Sequence, residues 1–472
     1  MAEDIREIAL ETLLALEREE QYSSRLIKDV LDKYNYLAPR DKGFIKRVTE
    51  GTLERRQELD YYLDHFSSHP VKKMKPLIRC LLRMSVYQLL FMDSVPDSAV
   101  CNEACKLAAK HGFGSLRGFV NGVLRNLCRN KHCLPLPDEE EEPLQYLAVK
   151  YSMPEWLVRR FLEEYGRKIT KTMLEGLMEI HPVSLRFCSG TDPEERDEIS
   201  RKIRERGAVL RESPYLSTGR LLERGENISE LPGFQEGKWT VQDISSALAV
   251  ELAGIRETDF VMDVCGAPGG KSIFAAEKAD KVLSRDVSEE KTGLIRDNIS
   301  RMGAENIEVQ TWDAACFDES YEAKADVVLA DVPCSGLGVM GKKRDIKYRV
   351  TPESMESLCT LQREIVRVCS RYVKPGGTLL YSTCTVSLAE NEEMVRFLTG
   401  ELGFVPLPFE EQLPPLLLEQ KRETEALRDR EGKDLKLTVE ERRACIQLFP
   451  GFMEADGFFI ARLKKAKGEK IF

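Results

Sequence analysis

The sequence predicts a multidomain chain: an all-α domain over residues 1–137, a small α/β domain over 144–232, and an α/β domain with a parallel sheet over 233–472. Three observations predict it. Apolar residues recur at spacings of three and four through the first domain. The run "CLPLPDEEEEP", Cys133 to Pro143, pairs prolines with acids and reads as a linker. From Gly233 onward, short apolar stretches alternate with helical ones, the rhythm of a sheet whose parallel strands are joined by crossover helices.

In "DIREIALETLLALERE", Ile5, Ile8, Ala9, Thr12, Leu13 and Leu16 share one helical face. "PLIRCLLRMSVYQLLF", Pro76 to Phe91, opens on a first-turn proline and is apolar nearly all round, so it is expected at the centre of the helical domain. "SAVCNEACKLAAKHG" stops at a glycine. "LRGFVNGVLRNLCRN" is a further helix, basic on one side through Arg117, Arg125 and Arg129. In the middle domain "MPEWLVRRFLEEYG" and "PEERDEISRKIRERG" read as helices and "SLRFC" as a short strand. Strand candidates in the last domain are Phe260–Val264, Lys281–Ser284, Ile307–Thr311, Asp326–Ala330, Thr378–Ser382 and Phe458–Leu463. The charged stretch from Glu410 to Cys445 reads as a polar insertion, partly helical and mobile.

Composition narrows the function classes. Hydrophobic residues are 42% and charged residues 32% of the 472, as in a soluble globular protein. No apolar run reaches the length of a membrane span, and the acidic, helical start is not an export signal. Thirteen cysteines without a CxxC pair, and histidines at no zinc-ligand spacing, point to free thiols in a reducing cytoplasm and to no structural metal. Net charge is −9, yet Met1 to Pro137 carries 22 Lys and Arg against 18 Asp and Glu. Nothing demands more than a monomer.

The stretch "FVMDVCGAPGGKSIFAAEKA" is strand, glycine turn and helix, the layout of a nucleotide cradle. A P-loop would need glycine at Cys265, so its nest of amides is incomplete. A dinucleotide fingerprint would meet Pro268 where the pyrophosphate approaches. A nucleoside cofactor without phosphate at this point remains. Asp286, past the second strand, can accept both ribose hydroxyls, and Asp313, past the third, an adenine amino group. "ADVPCSGLGV" and "LLYSTCTV" place Asp331, Cys334 and Cys384 at the tops of the next two strands. A lone buried cysteine is a small hydrophobe. Two at one sheet edge suit an attacking thiolate with a helper.

"VCGAPGGKS", "DVPCSGLGV", "KPGGTLLYSTCTVSLAENE" and "DGFFIARLKK" together resemble the S-adenosylmethionine-dependent RNA cytosine-C5 methyltransferases of the Sun/Fmu type. "RDKGFIKRVTEGTLERRQELDYYL", "LLRMSVYQLLFMDSVPDSAVCNEACKLA" and "GFVNGVLRNLCRN" are similar to the NusB-like helical domain that precedes the catalytic part in the bacterial small-subunit ribosomal RNA members. The sequence departs from the pattern at Gly266 (alanine is common), Ile244 (glutamate) and Arg344 (proline).

The resemblance implies a NusB-like domain, a middle domain and a Rossmann-like methyltransferase domain, with small-subunit ribosomal RNA as partner. It implies that Cys265, Gly266, Ala267, Pro268, Gly269, Gly270, Lys271, Asp286, Asp313 and Asp331 hold S-adenosyl-L-methionine. It makes Cys384 the nucleophile, Cys334 the residue that helps remove the C5 proton, and Asp331 the contact to the base. Arg117, Arg125 and Arg129 become contacts for RNA phosphates, with a protein-docking or bracing domain as the alternative. Transfer RNA or another RNA is an alternative substrate. A non-catalytic assembly factor is a further reading, against which the intact cysteine pair speaks.

Overall fold

The computed structural model describes residues 4–18, 23–224, 227–434 and 436–467. They form two compact units, Met1–Leu162 with Lys342–Arg349, and Glu163–Gly341 with Val350–Phe472.

The first unit is helical: α1 (Ile5–Arg18), α2 (Ser23–Lys33), α3 (Pro39–Glu54), α4 (Arg56–Phe66), α5 (Pro76–Phe91), α6 (Asp97–Lys110) and α7 (Arg117–Asn130). The expected apolar helix, α5, starts at a first-turn proline and buries residues on every side. Its Leu81, Leu82 and Val86 share a core with Leu10 and Leu13 of α1, Val48 of α3, Leu63 of α4, Leu107 of α6 and Leu124 of α7. Arg83 of α5 is buried too. Asp60 takes two of its N–H groups at 2.6 and 2.7 Å, and Glu17 a third at 2.6 Å, so its charge is compensated.

The segment Lys342–Arg349 completes this unit. Arg344 binds Glu50 at 2.7 Å and Glu54 at 3.1 Å, and Asp345 accepts from Ser23 N and Oγ at 2.9 and 2.8 Å. Lys347 is buried and donates to the Glu54 carbonyl at 2.7 Å. Burial pushes its ammonium down to about 7; the Glu54 carboxylate opposes this, while Arg55, Arg56 and Arg344 add to it. The guanidinium of Arg56 lies 3.7 Å from the Tyr348 ring centroid.

In the second unit β1 (Val183–Phe187), β2 (Val209–Glu212), β3 (Gly219–Arg224) and β4 (Trp239–Val241) form a sheet of order β2-β3-β1-β4. Leu185, Phe187 and Trp239 pack there with Ile199 and Ile203 of the helix Pro193–Glu205.

The main sheet contains β5 (Phe260–Asp263), β6 (Lys281–Asp286), β7 (Ile307–Thr311), β8 (Ala325–Asp331), β9 (Val373–Thr383), β10 (Phe404–Pro406), β11 (Cys445–Leu448) and β12 (Phe458–Lys465). Its order is β10-β12-β9-β8-β5-β6-β7, with β11 paired to β12. The run β9-β8-β5-β6-β7 is parallel, and β10, β11 and β12 are antiparallel additions. This is a Rossmann-like sheet, and every strand candidate of the last domain lies on a strand. β9 starts earlier than expected, at Val373. Its pairing with β8 shifts register between Ala325 and Val327, which absorbs a bulge at Lys374–Gly377, where Gly376 has φ +80°.

The stretch expected to be a mobile polar insertion is docked instead. The helix Pro415–Glu431 buries Leu417, Lys421, Thr424 and Arg428. Arg428 pairs with Glu392 at 2.7 Å, both side chains nearly excluded from solvent. Among the described residues, no helix is long and apolar enough to cross a membrane.

Candidate active site

The strand order reverses around β5, whose neighbours β8 and β6 run off to opposite sides. In open α/β sheets ligands bind at the carboxyl ends beside such a reversal. From Asp263 the chain turns through Cys265–Gly269 into the helix Gly270–Ala276. Gly266 N donates to Arg285 O at 2.8 Å and Gly269 N to Gly266 O at 2.7 Å, closing the turn. Gly269 has φ +107°, a conformation side chains disfavour.

Gly266 is required for space. A Cβ there would stand 2.3 Å from Ser284 Oγ and 3.0 Å from Ser272 Oγ. Those hydroxyls lie 2.7 Å apart, and Ser272 donates to Asp263 at 2.6 Å. Burial pushes the Asp263 carboxyl up to about 6, against the lowering from Ser272 and Lys271. The glycine, where alanine is common in the resembled family, is thus a fit to the polar cluster beneath the turn.

Asp286, the last residue of β6, accepts from Ala267 N at 3.0 Å and Val287 N at 2.8 Å, with Lys291 at 3.0 Å. The turn and this acid are thus tied together. Asp313 is exposed, and its carboxylate accepts from Ala315 N at 2.9 Å. Burial pushes the Cys265 thiol far up, with nearby Cys369, Asp263, Asp286 and Asp331 adding to it. An unreactive thiol in the turn is the result.

The two cysteine motifs converge. Parallel pairing sets Asp331 of β8 opposite Ser382 of β9, so Cys334 and Cys384 leave adjacent strand ends. Both are half-buried, and their sulfurs lie 3.1 Å apart. Gly338 N donates to Cys384 O at 3.1 Å. The Cys334 thiol is pushed well above its ordinary value, first by its hydrogen bond with Cys384, then by burial, then by the charge on Cys384, Glu390 and Asp331. Asp331 accepts from Lys271 Nζ at 2.7 Å and Ser382 Oγ at 2.7 Å. Burial pulls the Lys271 ammonium down, but Asp331 and Asp263 outweigh it and raise it above its ordinary 10.5. A charged lysine, a carboxylate and two thiols therefore share one edge of the turn.

Residues 250–464 match the family described as 16S rRNA methyltransferase RsmB/F, and residues 3–129 match the NusB family. The chain is 33% identical over 469 residues to the probable ribosomal RNA small subunit methyltransferase B of Bacillus subtilis, covering 98% of each chain. It belongs to the RsmB/F methyltransferase family. A Synechocystis relative of the same description is 30% identical, covering 98% of this chain and 99% of its own. Two solved structures bear on the fold of this RsmB/F chain. PH0851 has TM-score 0.75 at 23% identity, covering 98% of this chain and 100% of its own. NSun6 from Pyrococcus horikoshii with SFG has TM-score 0.54 at 19% identity, covering 67% and 99%.

Within the RsmB/F chain, Arg117, Arg125 and Arg129 are exposed on α7 of the helical unit. None of the three side chains makes a hydrogen bond or ion pair among the described residues. Sequence reasoning missed Ser382, the Asp263–Ser272–Ser284 cluster and Glu390. The quoted stretches contain all of them except Ser284. A serine in a strand and an acid before a helix carry no local sign of their partners, which arrive from other strands.

Proposed function

We propose that this chain is an S-adenosyl-L-methionine-dependent cytosine-C5 methyltransferase of small-subunit ribosomal RNA. The observation that carries the reading is the 3.1 Å approach of Cys334 and Cys384 beside the Lys271–Asp331 pair at the switch point. Membership of the family and the small-subunit ribosomal RNA named for its relatives support the substrate.

The residues present fit the cofactor. The turn Cys265–Lys271 packs so that a Cβ at Gly266 would crowd Ser284, and the Asp286 carboxylate is already held beside it by Ala267 N. Cys265 to Lys271, Asp286, Asp313 and Asp331 would hold it. When bound, S-adenosyl-L-methionine supplies an electrophilic methyl group.

C5 of cytosine is a poor nucleophile. Cys384 as thiolate adds to C6, and the electron pair of the C5–C6 double bond becomes available at C5. Asp331, held in place by Lys271 and Ser382, accepts from the exocyclic amino group beside N3 of the base. The base leaves its stack to reach these groups. After methylation C5 carries one proton too many. Once the Cys384 sulfur is bonded to carbon, its hydrogen bond and charge no longer raise Cys334. Cys334 then loses its proton to solvent more readily, and as thiolate it takes the proton from C5. The C5–C6 double bond reforms, the C6–sulfur bond breaks, and its electron pair returns to Cys384.

Replacing Cys384 with Ala is expected to abolish methyl transfer while cofactor binding, measured by calorimetry, survives; turnover in that variant would discard the nucleophile. Replacing Cys334 with Ala is expected to leave an enzyme–RNA adduct that persists on a denaturing gel. If the adduct needs Cys384 replaced instead, the two roles are exchanged. Bisulfite sequencing of ribosomal RNA from cells lacking the protein tests the substrate, a lost 5-methylcytosine being the expected result.

A further inference from the structure

Beneath the cysteine pair lies a carboxylate the reaction does not touch. Glu390 is fully buried, as are Gln362, Tyr381 and Thr385. Its Oε2 accepts from Ser335 N and from Gln362 Nε2, each at 2.9 Å, and its Oε1 accepts from Ser335 Oγ at 2.5 Å. Gln362 Nε2 also donates to Pro333 O at 2.9 Å. The backbone on both sides of Cys334 is therefore gripped by one acid and one amide. Because Ser335 Oγ gives its proton to Glu390, the 2.7 Å contact with Thr385 is donated by the Thr385 hydroxyl. Thr385 follows Cys384, so the grip reaches the second cysteine loop. Tyr381 OH donates to Glu390 O at 2.6 Å and fixes the backbone of the acid itself.

Two features go beyond bracing. Every contact to the carboxylate comes from a donor, the pattern of an anion, and Glu390 forms no ion pair among the described residues. An unpaired buried charge is costly. A glutamine of the same shape would lose the charge and turn its amide nitrogen, a donor, toward one of these donors, so it would not reproduce the grip. The charge also acts on Cys334, favouring the protonated sulfur.

We propose that Glu390 is a positioning residue of the cysteine pair: it sets the Cys334 loop against the Cys384 loop and so governs the release step rather than the attack. This rests on the roles given above to Cys334 and Cys384. Release requires the Cys334 sulfur to give up its own proton to solvent, then take the C5 proton; the C5–H electron pair reforms the C5–C6 double bond as the pair of the C6–sulfur bond returns to Cys384. A displaced sulfur loses that alignment, and a missing negative charge changes the pH at which it becomes competent.

The test is the full-length Glu390→Gln variant with ribosomal RNA and S-adenosyl-L-methionine. KM for RNA and cofactor affinity are expected to stay near wild type, while kcat falls by about 10²-fold. Covalent enzyme–RNA adduct is expected to accumulate on denaturing gels. The ascending limb of the single-turnover release profile, which the Cys334 thiol sets, is expected to move to lower pH, because the charge that favoured the protonated thiol is gone. A merely structural role would lower the plateau and leave the limb in place, and that result overturns the proposal. Ser335→Ala keeps the acid and removes only the bridging hydroxyl. It should also accumulate adduct, more weakly, and wild-type adduct levels there overturn the proposal if Glu390→Gln fails to fold. Adding Cys384→Ala to Glu390→Gln should abolish the adduct. An adduct that persists marks failure of the cysteine assignments, and so is distinguishable from failure of the Glu390 role alone.

Discussion

Gly266 lacks a side chain because Ser284 occupies the space a Cβ would need. Gly266→Ala is expected to destabilise the second unit by about 1–3 kcal/mol, the usual range for overpacking. Ser284→Ala in the same chain should recover part of the loss, since the nearest atom is gone. Denaturant unfolding of the single and double variants checks this; an unchanged midpoint for Gly266→Ala would refute the steric account. At this scale the sequence reading reached the residues whose chemistry is local. Cys334, Cys384 and Asp331 sit in short motifs at strand ends, and strand ends are where parallel sheets present ligand groups. It did not reach Glu390 or Ser382, whose meaning depends on a hydrogen-bond partner many residues away.

Elements were legible where periodicity was strong. α5 is apolar nearly all round, and it is the central helix of its unit. Charge misled where it dominated the pattern. The helix Pro415–Glu431 reads as solvated, yet Arg428 and Lys421 are buried because Glu392, Glu410 and Glu425 receive them. Lys347 gives the same lesson a measurable form. Its folded pKa is lowered to about 7 from 10.5. Between those values the unfolded chain binds the extra proton, so stability rises with pH across that window. Below about 7 the full penalty of the buried charge applies. Thermal melts of wild type and Lys347→Met from pH 6.5 to 10 are expected to show wild type gaining on the variant as pH rises. A constant difference would mean that Lys347 titrates as an exposed lysine does.

Across the whole molecule the net charge is −9, but the sign is uneven. The excess of basic residues before Pro137 includes the three α7 arginines, whose side chains make no hydrogen bond or ion pair among the described residues. If they meet phosphates, replacing Arg117, Arg125 and Arg129 with Ala should flatten the log–log salt dependence of RNA binding by about two, at roughly 0.7 per single-strand phosphate contact. An unchanged slope removes α7 from the interface. The order of strands and helices, and hence the Rossmann-like sheet, was legible because each strand is a short apolar run closed by turn residues. The membership of Lys342–Arg349 was not, since only the three-dimensional contacts assign it to the helical unit.

That segment makes the helical unit discontinuous in the chain. Trimming the protein after Leu162 would strip from it the ring of Tyr348 under Arg56 and the carboxylate that receives Ser23. The unit cannot be lifted out as a cassette by one cut, nor traded between proteins by a single crossover. Any separately expressed version has to carry residues 342–349 along, spliced in or supplied as a peptide.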